Sequence, residues 1–181
     1  VRRALESLTL DAIVVTAPSN IRYLTNHTGT AGIAVITLDG IHLLVDSRYE
    51  EAVRERQASA AACPALTSWP VKASYDEALL QSLADVAVTA VGFEAGHLTV
   101  ARYEWLIRSA AARGLALSFR ATERVVEELR LVKDRGEIAA LREAARRLPA
   151  VADAAFRAAR AGMAERAVAA VIEAAMREAG Y

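Results

Sequence analysis

The chain has 181 residues, 54% of them hydrophobic and 24% charged, enough to bury a substantial core as one large domain or one domain plus part of another. Its 22 basic and 22 acidic residues balance and are interspersed, which argues against a nucleic-acid-binding face or a polybasic membrane anchor and leaves small molecules or other proteins as partners. One cysteine, Cys63, excludes an intrachain disulfide, and charges cut every apolar run short of the roughly 20 residues that span a bilayer, so a soluble cytoplasmic protein, trimmed before Val1, is expected.

VRRALESL at the start reads as an amphipathic helix, and Asp11 to Thr16 as a short β-branched strand. Pro18 and Ser19 suit a helical first turn, predicting a short helix from Asn20 to Leu24. GIAVITLDGIHLLVD carries two strands about Asp39-Gly40, a favoured type I′ hairpin pair, and the second strand ends at Asp46. Ser47 with Glu50 predicts a capping box before the charged helix EEAVRERQ, and Ser74 with Glu77 repeats the device before EALLQSLADV. AVTAVGFE then reads as a strand, TVARYEWLIRSAAARG as a helix closed by Gly114, and LALSF as another strand. Strands and helices alternate to about Phe119, the pattern of a sheet covered by helices.

Beyond Thr122 the strands stop. Ile138, Leu141, Ala145, Leu148 and Ala152 recur at helical spacing, and Ala164, Ala167, Val168, Val171, Ile172, Ala175 and Met176 stripe a second helix after Gly162. Pro149 should kink or break the first of these at a cost of about 3 kcal/mol. These helices either open a second domain cut short at Tyr181 or pack back on the sheet; the expected division is an α/β domain at 1–122 and a truncated helical segment at 123–181.

No self-sufficient catalytic centre is legible. There is no G-x-S-x-G elbow and no phosphate-binding glycine loop, and Cys63 has no local histidine. His27, His42 and His97 lie on three different elements with no H-E-x-x-H pair, so no metal site is expected in this chain. His42 reads as a partly exposed cross-strand residue, His97 as a turn residue, and Asp46 and Glu94 as strand ends that commonly cap the next helix. The unusual stretch is NIRYLTNHTGTAG, Asn20 to Gly32. Gly29 and Gly32 permit close backbone approach, Thr28 and Thr30 supply hydroxyls, and His27 can exchange a proton near neutral pH. It is either a contact surface or a solvated glycine turn.

DAIVVTAPSNIRYLTNHTGTAG followed by LLVDSRYEEAV resembles the amino-terminal domain of the creatinase, prolidase and aminopeptidase P family. VGFE at 91–94 is similar to that family's later strand, ELRLVKDRGEIAALREAAR at 128–146 to the junction where its pita-bread catalytic domain begins, and GMAERAVAAVIEAAMREAGY to that domain's next helix. The resemblance implies a mixed sheet covered by helices, and a cytoplasmic peptidase acting at Xaa-Pro bonds of proline-containing peptides. It also implies two divalent ions (Mn, Co or Zn) that share a water, lower its pKa and polarise the scissile carbonyl, their Asp, Asp, His, Glu and Glu ligands all falling beyond Tyr181. By the same resemblance the domain builds a homodimer and walls the cleft, with Asn26, His27, Thr28, Gly29 and Thr30 facing substrate. Arg48 and Tyr49, at the start of a capped helix on the rim of the sheet, are expected with Asn20, Arg22, Tyr23 and Asp46 to support the loop or the dimer contact and not to act in catalysis. Asn26 stands where such proteins often have Gly, and His27 where they commonly have an aromatic. A stand-alone binding module and a creatinase-like amidinohydrolase are the other readings; the downstream reading frame separates the first and the substrate the second.

Overall fold

The computed structural model describes residues 1–181. The first helix, α1 (Arg2–Leu8), is closed by Thr9 in the left-handed region at φ 54° and lays Leu5 inward. β1 (Ala12–Val15) follows, then α2 (Pro18–Thr25) with Pro18 in its first turn, β2 (Ile33–Thr37) and β3 (Ile41–Asp46). Next come α3 (Ser47–Gln57), β4 (Leu66–Val71), α4 (Tyr75–Asp85), β5 (Ala90–Glu94), α5 (Val100–Ala112), β6 (Ser118–Thr122) and α6 (Val125–Leu131).

The six strands form one mixed sheet in the order β4-β3-β2-β1-β5-β6. β2 runs antiparallel to both neighbours, with Ile13 opposite Ile36 and Val35 opposite His42, whereas β3–β4, β1–β5 and β5–β6 are parallel. Side chains alternate across the strands and so build two cores. Val14, Val35, Leu44 and Phe93 pack under α4 and α5 with Leu79, Leu83 and Leu106. Ile13, Val15, Ile36 and Leu43 pack on the other face with Leu5, Ile21, Val53 and Val126. β1 and β2 are buried along their whole length because both faces are covered, which is why their sequences read as continuous apolar runs and not as alternation.

Several local expectations need correction. The β2–β3 connection is not type I′: neither Asp39 nor Gly40 has positive φ, and the Thr37 hydroxyl instead accepts the Gly40 N–H at 3.0 Å. Helix α3 is capped by Asp46, whose carboxylate accepts the Arg48 N–H, and not by a Ser47–Glu50 box. A strand that the periodicity did not show, β4, lies at the sheet edge; its mixed burial and Pro70 give no clear alternation, and an edge position tolerates the missing proline donor. The segment expected as LALSF begins its pairing only at Ser118, because parallel register sets Phe119 opposite Val91.

The chain divides into two compact units, Val1–Leu131 and Val132–Tyr181, and α6 belongs to the first. In the second, α7 (Arg135–Ala158) starts from a full capping box between Asp134 and Glu137 and continues through Pro149 without ending there. α8 (Glu165–Glu178) returns along it, the Arg147 guanidinium donating to Ala179 O and the Tyr181 hydroxyl to Ala144 O.

Candidate functional site

Helix α2 stops because Asn26 turns into the left-handed region at φ 59°, a conformation that Asn tolerates through its short polar side chain, here donating to Ala61 O at 3.2 Å. The Thr25 hydroxyl donates to Ile21 O at 2.7 Å and accepts the His27 N–H at 3.1 Å, so the chain doubles back over its own helix. His27 is thereby carried inward, only 6% exposed. Its Nε2 lies 3.0 Å from Ala31 O, a partner that can only accept, which fixes the proton on Nε2. Its ring meets Tyr49 edge-on at 5.4 Å.

Gly29 is dictated by this packing. A Cβ there would sit 2.4 Å from His27 Nε2 and 2.8 Å from Tyr49 Cδ1, so no side chain fits. Asn26, Thr28 and Thr30 are the exposed residues of the loop, and the Thr30 hydroxyl lies 2.8 Å from the Tyr49 hydroxyl. The loop separates two small cavities. One, of about 160 Å³, lies toward α3 and is lined by Thr25, His27, Tyr49, Val53 and Arg56. The other, of about 150 Å³, lies toward the end of β1 and is lined by Thr16, Pro18, Thr30, Gly32 and His97.

Asp46 closes β3 and opens α3, which places Arg48 and Tyr49 in the first helical turn beside the loop. The Asp46 carboxylate accepts from the Arg48 guanidinium at 2.8 and 2.9 Å and from the Tyr75 hydroxyl at 2.8 Å. Those donors hold its carboxyl well below the usual carboxylate range. Burial and the bond to Asp46 push the Tyr75 phenol up to about 12. The Arg48 guanidinium in turn lies 5.1 Å from the Tyr49 ring centroid.

Asn20, Arg22 and Tyr23 go elsewhere. Asn20 is fully buried and donates to Glu94 Oε1 and Glu127 Oε1 at 2.6 Å each, while its own oxygen accepts from Arg130 at 2.8 Å. The other Glu94 oxygen accepts the Thr16 and Ala17 N–H groups at 2.7 and 2.8 Å, and the Thr16 hydroxyl lies 2.8 Å from His97 Nδ1. The Asn20 donor holds the Glu127 carboxyl below its usual value. This network closes the floor of a cleft of about 570 Å³ at the carboxyl ends of β5 and β6. Arg22 is exposed, and Tyr23 is exposed with its hydroxyl 3.5 Å from Leu129 O. Glu94 was legible as a strand end and His97 as a turn residue, but Thr16, Glu127 and Arg130 carried no local signal; the one usable hint is that a buried Asn must find partners.

The arrangement can position and bind, and a hydroxyl meets an imidazole in it where Thr16 Oγ1 lies 2.8 Å from His97 Nδ1. His27, His42 and His97 are each engaged on a different element, and no three His, Cys, Asp or Glu side chains converge to hold a metal ion. The Cys63 thiol donates to Leu24 O at 3.3 Å, and burial raises its pKa.

A family profile described as Creatinase/Prolidase N-terminal domain matches residues 1–132. The chain is 31% identical over 163 residues to the "Uncharacterized peptidase YqhT" of Bacillus subtilis (strain 168), covering 86% of this chain and 40% of that protein. Among solved structures it is similar to an Xaa-Pro dipeptidase from Bacillus anthracis, with a TM-score of 0.81 and 27% identity over 99% of this chain and 47% of that one. It is also similar in fold to a prolidase from Pyrococcus furiosus, with a TM-score of 0.78 at 21% identity, covering 99% and 49% of the two chains. The chain therefore spans no more than half the length of these relatives.

Proposed function

The chain belongs to the Creatinase/Prolidase N-terminal domain family, and from that membership we propose that it is the amino-terminal part of a cytoplasmic, metal-dependent Xaa-Pro peptidase, serving to pair two subunits and to wall the substrate cleft. The observation that carries the proposal is the construction of the Asn26–Thr30 loop. Thr28 and Thr30 stand outward on a turn that a buried histidine, a sterically required glycine and a tyrosine hold in place. A solvated linker turn needs no such support, whereas a surface that must meet a ligand in one geometry does.

In this assignment His27 acts inside the loop, as an aromatic plug bonded to Ala31 O, and the threonine hydroxyls are the groups offered to a peptide. The two divalent ions that the activity calls for do not fit these residues, among which no three His, Cys, Asp or Glu side chains converge. Balanced charge and a single cysteine are compatible with the cytoplasm.

The test uses the complete protein encoded by the reading frame that contains this sequence. With a divalent ion it is expected to hydrolyse Xaa-Pro peptides and not creatine, and to sediment as a dimer, while the 181-residue chain by itself is inactive on both substrates. A downstream frame without an Asp, Asp, His, Glu, Glu set, or a complete protein that leaves Xaa-Pro bonds intact, would refute it.

A further inference from the structure

Deepening that reading, and resting on it, we propose that Tyr49 is the positioning residue of the Asn26–Thr30 loop. It fixes the loop through two different contacts and is itself fixed by the residues that precede it in D-S-R-Y. The hydroxyl reaches Thr30 Oγ1 at 2.8 Å, at the outward limb of the turn. The ring stands perpendicular to that of His27, centroids 5.4 Å apart, at the inward limb. Gly29 lies between these two holds, and its bare Cα is the only reason the backbone can pass so close to both rings.

Tyr49 is not free to swing away from this work. Asp46 caps α3 through the Arg48 N–H, takes the Arg48 guanidinium in a two-pronged bond, and is tied to Tyr75 on α4. Arg48, so held, lies over the Tyr49 ring at 5.1 Å. Strand β3 thus supports Asp46, Asp46 supports Arg48, and Arg48 with the first helical turn supports Tyr49. The motif D-S-R-Y becomes intelligible as one brace, each of Asp46, Arg48 and Tyr49 having a contact that its neighbour needs.

The Thr30–Tyr49 bond is solvent-exposed, so deleting the Tyr49 hydroxyl leaves no buried group without a partner and the domain keeps its fold. That makes the role separable from general stability. In the complete protein, Tyr49→Phe and Thr30→Val are each expected to raise KM for Xaa-Pro peptides by about twofold to tenfold, the value of one hydrogen bond, with kcat within about twofold. Because both variants break the same bond, the double variant is expected to be no worse than the worse single one. Amide exchange across Thr28 to Gly32 should quicken by a similar factor in Tyr49→Phe.

Unchanged exchange in Tyr49→Phe shows that the brace does not hold the loop, and additive KM effects show that Tyr49 and Thr30 act separately; either overturns the proposal. Quickened exchange with an unchanged KM in an enzyme active on Xaa-Pro peptides overturns the positioning role. A wild-type protein inactive on those peptides instead defeats the functional reading, while the exchange measurement still decides whether Tyr49 holds the loop.

Discussion

At the scale of single residues, the three histidines show how little a residue type says before its neighbours are known. His97 joins the Thr16 hydroxyl, His27 bonds Ala31 O, and His42 accepts the Trp69 indole N–H on Nδ1 at 3.1 Å. His42 is half-buried, and that burial lowers its pKa below the usual 6.5. A histidine lowered in the folded state stabilises the fold fully above pH 6.5, and this contribution is lost as the pH falls from there through the folded value. Protonation at Nδ1 would also displace the Trp69 donor. Urea midpoints are therefore expected to fall between about pH 7 and pH 5, with His42→Gln flattening the slope and indole fluorescence following the loss. A His42 imidazole titrating at or above 6.5 by NMR would contradict this.

At the scale of elements, helices were the legible part because their signals are local. Ser74 accepts the Glu77 N–H and Gly114 follows α5 at φ 67°, both read directly from a few adjacent residues, and Thr99 caps α5. Edge strands were harder, since β4 and β6 are half exposed and paired on one side. Pro149 is the opposite case, a local signal for a break that the helix does not follow. It should kink or break a helix, and α7 runs on to Ala158 without a break. Without an N–H for the preceding turn, α7 carries a local weakness. Pro149→Ala is expected to stabilise the helical unit by about 1–3 kcal/mol, visible as a higher midpoint in a thermal melt followed by circular dichroism. A lower midpoint would mean that the proline ring contributes packing that alanine loses.

At the scale of the whole molecule, the two units differ sharply in how much they bury. Both cores lie in Val1–Leu131, whereas in Val132–Tyr181 only Val151 falls among the buried residues and Leu141, Leu148 and Phe156 are more than half exposed. A fragment ending at Leu131 is therefore expected to unfold cooperatively in urea with a stability of about 5–15 kcal/mol, and residues 132–181 alone to melt broadly, as short helices without a core do. A sharp transition in the isolated helical segment would show that its own packing suffices.

By itself the sequence determined the alternation of strands and helices, the Ser74 cap, the family resemblance and the loop that stands out between Asn20 and Gly32, because propensity, periodicity and motif spacing are written in neighbouring residues. Tertiary structure decided the rest. Only the register of β1 on β5 brings Thr16 to Glu94, and only the placement of α6 brings Glu127 and Arg130 to Asn20, partners more than a hundred residues away in the chain. Likewise, His27 became an inward plug and Tyr49 its brace because the end of β3 lies beside the end of α2, and sequence spacing records no such distance in space.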